Sequence, residues 1–122
     1  MTDRYSQEWV DALVAGATAM EEPLRLLYII SDTAEGKVAF HVDFADGVVG
    51  TAGKLPRGEK ADVTVTAKEP ALLELWSGDR SRDVAFMAGD LKIEGAYQRW
   101  LNELVPLFAT DDWAAAWRSA AA

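Results

Sequence analysis

Cysteine is absent from this chain. No disulfide framework, thiolate nucleophile or thiolate metal site is available to it, which fits a reducing compartment. Histidine is nearly absent as well: His41 stands alone. One imidazole and scattered acids give no metal-ligand spacing, and no cofactor is expected. Cations are outnumbered, with 12 Lys and Arg against 20 Asp and Glu and a net charge of −8. Affinity for nucleic acid comes from basic residues on phosphates, so that class is excluded, and tight docking on an anionic membrane is disfavoured. At most a transient bilayer contact is left open. No run reaches the ~20 apolar residues of a membrane span. Met1-Thr2-Asp3-Arg4 does not open a signal peptide, and Ser119-Ala120-Ala121-Ala122 is not a peroxisomal address. The expected location is cytoplasmic. No Gly-x-Ser-x-Gly turn, phosphate loop or dinucleotide fingerprint occurs.

What is present is apolar and patterned. Half of the 122 residues are hydrophobic and 26% are charged, a balance that predicts one soluble globular domain over residues 1–122. A helix is expected over 6–20, capped by Ser6, with Trp9, Leu13, Ala17 and Met20 at helical spacing. Leu24–Asp32 reads as a strand buried on both faces. Val38, Phe40, Val42 and Phe44 alternate with Ala39, His41, Asp43 and Ala45, the clearest period-two pattern in the chain. On that strand His41 is expected to point outward as a surface imidazole, a better reading than general base. Asp46-Gly47 signals a hairpin into a third strand, Val48–Ala52. Residues 53–60 read as a loop, 61–67 as a fourth strand, and Pro70 opens a helix ending at Ser77 before Gly78.

Ser81 is placed to cap a short helix over 82–88. Leu91 and Ile93 then alternate with Lys92 and Glu94 in a fifth strand between Gly89 and Gly95. Tyr97, Trp100, Leu101, Leu104, Val105 and Phe108 share one helical face, and Pro106 should kink or end that helix. Thr110 caps a last short helix bearing Trp113 and Trp117, too short to persist without docking. The adjacent acids Glu21-Glu22 and Asp111-Asp112 sit at helix ends and read as terminus electrostatics rather than an acid–base pair.

Five tryptophans, four phenylalanines and three tyrosines are a large aromatic load for this length. Rings on covering helices either pack a core or prop the helices off a sheet and leave a cavity. Pattern alone leaves both open. Ligand pockets span ~300–1,000 Å³, and at about 24 cal/mol per Å³ the smallest, left empty, costs roughly 7 kcal/mol against a total stability of about 5–15 kcal/mol.

Phe86-Met87-Ala88-Gly89 followed by Leu91-Lys92-Ile93-Glu94-Gly95 resembles the C-terminal signature of the sterol carrier protein 2 family. Ala61-Asp62-Val63-Thr64-Val65-Thr66, then Leu72-Leu73-Glu74-Leu75-Trp76-Ser77-Gly78, fits the same pattern, as does the hairpin at Asp46-Gly47. The likeness runs from about Leu24 to Phe108; Ala96 departs from it, where relatives often carry Asp. The resemblance implies an α+β fold, a five-stranded, largely antiparallel sheet with helices covering one face. It also implies an apolar tunnel and no catalytic machinery. The expected ligand is a fatty acid, acyl chain, sterol or similar lipid. The expected lining is Phe40, Val42, Trp76, Phe86, Met87, Leu91, Ile93, Trp100, Leu104, Phe108, Trp113 and Trp117. The last helix is expected to act as a gate, lost with more harm to ligand retention than to folding. Two rival readings are a filled-core interaction module, whose aromatic faces serve a homodimer or a partner enzyme, and an accessory enzyme using His41.

Overall fold

The computed structural model describes residues 5–15, 22–34, 36–45, 47–53, 55, 57–77, 91–108 and 110–121. Helix α1 is Gln7–Val14, and Ser6 caps it by accepting a hydrogen bond from the Trp9 amide at 3.2 Å. Three strands follow, β1 (Leu24–Thr33), β2 (Gly36–Phe44) and β3 (Val48–Ala52). Then come β4 (Val63–Lys68), α2 (Glu69–Ser77) and β5 (Leu91–Gly95). Helix α3 covers 97–108, and α4 is Asp111–Ala121. The expected extension of the first helix to residue 20, and the short helix over 82–88 with its cap Ser81, lie outside the described residues.

The sheet order is β3-β2-β1-β4-β5; β1 and β4 run parallel, and the other neighbouring pairs antiparallel. Register follows from the alternation. Leu26 faces Val42 and Val63, while Tyr28 faces Phe40 and Val65. Leu24, Leu26, Tyr28, Ile30, Phe40, Val42, Phe44, Val63 and Val65 therefore share one buried face. The helices lie on it: α1 over β3, α2 over β1 and β4, and α4 against α1 and α2. Gly50 admits α1 because a Cβ there would stand 2.5 Å from Val10 Cγ1. Gln7, at the start of α1, accepts from the Ala52 amide and donates to the Gly50 carbonyl, so its amide pairs with part of the edge of β3.

Because β3 and β4 lie on opposite sides of the β1–β2 pair, the chain between them must cross the sheet. It crosses the face turned away from the helices. Two contacts put it there: the Gly53 carbonyl oxygen lies against the outward-facing His41 ring, and Glu59 pairs with the outward-facing Arg25 at 3.3 Å. This crossing corrects two expectations. His41 does point to the outer face, yet it is only 6% exposed, with Nδ1 3.3 Å from the Gly53 carbonyl oxygen. It is a buried imidazole, not a surface one. Strand β1 is fully buried on the helix side only; Leu27 and Ile29 on the other side are half-buried.

Helix α3 does not break at Pro106. Pro106 has no N–H for the Asn102 carbonyl, and its ring crowds that carbonyl. The preceding turn widens instead: Trp100–Leu104 is a π-helical segment between α-helical Tyr97–Arg99 and Val105–Phe108, with the Val105 amide bonded to the Trp100 carbonyl. Arg99 fastens this helix to the entry of β1 by donating to the carbonyls of Pro23 and Glu22, each at 2.9 Å. It also pairs with Glu103, whose carboxyl the Arg99 hydrogen bond holds below the usual carboxylate range.

Gly95 ends β5 at φ +98°, and a Cβ there would meet the Asp62 carbonyl oxygen at 2.3 Å. Neither the backbone angle nor the neighbouring backbone yields cheaply. Gly95→Ala is expected to cost about 2–4 kcal/mol of stability, read as a lowered urea midpoint at unchanged slope. A variant within about 0.5 kcal/mol of the parent would show that the β4–β5 edge relaxes freely.

Candidate functional site

Between the sheet and the helices lies a cavity of about 130 Å³. Its floor is Tyr28 of β1, Val65 of β4 and Leu91 of β5. Its walls are Leu72, Leu75 and Trp76 of α2, Trp100 of α3, and Trp113, Ala114, Trp117 and Arg118 of α4. Each is there for a local reason. Leu72 and Trp76 are one turn apart on α2, as are Trp113 and Trp117 on α4, so each pair shares a face. Tyr28, Val65 and Leu91 take the helix-side phase of their strands. Trp100 opens the π-helical segment.

The rings hold one another. Trp113 and Trp117 stack at 4.6 Å between centroids, and Trp117 meets Trp76 edge-on at 4.7 Å. Tyr28 stacks on Phe40 at 4.9 Å and lies 5.3 Å from Trp117. Such contacts add about 0.5–1.5 kcal/mol each beyond area burial. Left empty and dry, a void of this size costs about 3 kcal/mol, a little under half the figure for the smallest pocket expected from sequence.

Of the twelve residues expected to form the lining, the structure brings Trp76, Leu91, Trp100, Trp113 and Trp117 to the cavity. Phe40, Val42 and Leu104 are fully buried in the surrounding core rather than on the cavity wall. Ile93 is partly buried beside that core. Phe86, Met87 and the Phe108 side chain lie outside what is described. Sequence reasoning missed Tyr28, Val65, Leu72, Leu75, Ala114 and Arg118 as lining. The helical stripe of α2 and the strand phase of Tyr28 and Val65 carried the signal for four of them. Ala114 is too small, and Arg118 too polar, to have been read that way.

A second concavity, about 350 Å³ and open to solvent, lies at the other end of β1, bordered by Arg25, Asp43, Lys60 and Asp62 among others. It is larger and more open, and Arg25, Asp43 and Asp62 on its border bond to one another. Arg25 Nε pairs with Asp43 at 2.6 Å, and the Arg25 amide donates to the Asp62 carboxylate at 2.8 Å. Among the described residues no group of three or more His, Asp or Glu is placed to hold a metal ion. No described helix is long and apolar enough to cross a membrane.

A five-stranded, mostly antiparallel sheet with a helical layer bordering a largely apolar, ring-lined cavity defines an α+β domain with one helix-covered sheet face. The SCP-2 sterol transfer family profile matches residues 17–101, most of the chain, and the chain belongs to that family. The family's fold is lipid-binding and typically non-catalytic. Solved structures share the fold at low identity. A conserved hypothetical protein from Thermus thermophilus, described as possibly a sterol carrier protein, is 15% identical with a TM-score of 0.66, over 98% of this chain and 91% of that one. Palmitated SCP2L2 from Aedes aegypti is 18% identical with a TM-score of 0.66, over 90% and 96%. Apo sterol carrier protein 2 from Yarrowia lipolytica is 14% identical with a TM-score of 0.55, over 78% and 75%. No curated protein matches the chain significantly.

Proposed function

We propose that this chain is a single-domain, non-catalytic carrier that holds an apolar lipid, a fatty acid, acyl chain or sterol, between its sheet and helices. The observation that carries the reading is the cavity bounded by Tyr28, Trp76, Trp100, Trp113 and Trp117 on the helix side of the sheet. Membership of the SCP-2 family supports it, as does the palmitated state of the Aedes aegypti relative. A dry apolar cavity of about 150 Å³ takes up one benzene-sized molecule. The 130 Å³ here therefore suits a ring or a short stretch of chain. A full-length acyl chain enters by parting helices from the sheet, and each buried methylene returns about 0.8 kcal/mol. Selectivity then follows length and shape more than hydrogen bonding. The homodimer reading is the weaker one, because the tryptophans it would need are already buried inside the chain. The absence of cysteine fits a cytoplasmic carrier.

Titration with a fluorescent fatty acid tests the proposal, together with solvent extraction of the purified protein and mass spectrometry of the extract. Saturable one-to-one binding or co-purified lipid is expected. At about 100 times Kd the ligand stabilises the fold by about 2.7 kcal/mol, which raises Tm by about 10 °C. Protein that is free of lipid, shows no saturable uptake and melts unchanged would sink the carrier reading.

A further inference from the structure

Among the described residues one cation borders the cavity, and no described carboxylate is paired with it. Arg118 lines the wall beside Ala114 and Trp117 while remaining exposed to solvent. The other well-placed cations are engaged: Arg25 with Asp43 and Glu59, Arg99 with Glu103, and Lys92 with Glu94. On a chain with a net charge of −8, an arginine at the rim of a largely apolar cavity is out of keeping with its surroundings. Its place in the last turn of α4 accounts for a favourable helix-dipole contact. That contact is equally served by a side chain turned away from the cavity, so it leaves the position at the rim unexplained. Ala114 one turn earlier keeps the path from Arg118 to the apolar interior unobstructed.

Resting on the carrier reading above, we infer that Arg118 is a specificity-determining residue that selects lipids with an anionic head. The tail lies among Tyr28, Trp76 and Trp117, and the head stays at the rim on the guanidinium. A planar guanidinium presents paired N–H donors that match a carboxylate. The ligand class is a single-chain amphiphile bearing a carboxylate, preferred over the uncharged lipid of the same chain length. The rim is wet, so the preference is well below that of a buried charge-assisted pair, which sets the expected scale at about 5- to 10-fold.

Isothermal titration of the full chain with decanoate and with decan-1-ol, at about pH 8 where the acid is ionised, reads the head group alone. The parent protein is expected to favour decanoate. Arg118→Gln should weaken decanoate about 5- to 10-fold and change decan-1-ol less than about 2-fold. Arg118→Lys should restore most of the loss, and neither variant should shift the melt. If both ligands bind and Arg118→Gln leaves decanoate untouched, or weakens both equally, the head-group assignment falls while the carrier reading stands. If neither ligand binds the parent protein, the carrier reading falls and takes this one with it.

Discussion

Deletion of residues 110–122 is expected to abolish cooperative folding, not merely to loosen a lid. From sequence alone this helix reads as a gate, because it is short, follows a proline and is held only by its ring contacts. The structure places its two tryptophans at the centre of the core: Trp113 is 3% exposed and Trp117 2%. Trp117 touches the rings of Tyr28, Phe40, Trp76 and Trp113, with centroids 4.6–6.3 Å apart. Trp113 also reaches Phe44 at 6.2 Å. Truncating one large buried ring costs about 3–5 kcal/mol. Losing both, even with the non-additivity expected of stacked neighbours, removes much of a total stability of about 5–15 kcal/mol.

The milder variant Trp117→Ala should lower stability by about 3–5 kcal/mol and Tm by about 10–20 °C. It should still fold, and it tests the same point by circular dichroism melts and urea titration. A truncated protein that melts cooperatively near the parent temperature while failing to retain lipid would restore the gate.

How much of this was legible beforehand differs by element. The alternation of Val38, Phe40, Val42 and Phe44 identified the buried face of β2 correctly, because strand phase is a local property. The same phase puts His41 on the outer face, where its ring meets the Gly53 carbonyl. Its burial did not follow, since the covering backbone at Gly53 arrives from a crossing that local pattern does not encode. For the same reason β1 looked buried on both sides when its outer side is shielded only in part by the crossing chain. Pro106 announced an irregularity at the right place, but a missing N–H is accommodated equally by a break, a kink or a widened turn. The five-stranded sheet was expected from the family resemblance and is present. Which apolar side chains fill space and which border a void was not legible. Phe40 and Trp76 look alike in a sequence, and only the distance between sheet and helix separates them.

Filling the cavity should separate binding from folding more sharply than any truncation. Ala114 sits on the cavity wall at partial burial, one turn before Arg118, and its methyl leaves the interior open. In Ala114→Phe the added ring enters a void of about 130 Å³, a volume close to that of a cavity that takes up benzene. Two terms then oppose each other. Burying the ring and removing the void returns part of the roughly 3 kcal/mol that the empty space costs. Fitting the ring between Trp76 and Trp117 costs about 1–3 kcal/mol if rotamers must shift. Stability is therefore expected to change by less than about 2 kcal/mol in either direction, while fatty-acid affinity falls at least about 50-fold, because the ring occupies the space the tail needs. Fluorescence titration beside a thermal melt reads both quantities on one preparation. A variant that folds and still binds with the parent affinity would mean that lipid lodges elsewhere on the molecule, and that this cavity is only a packing defect.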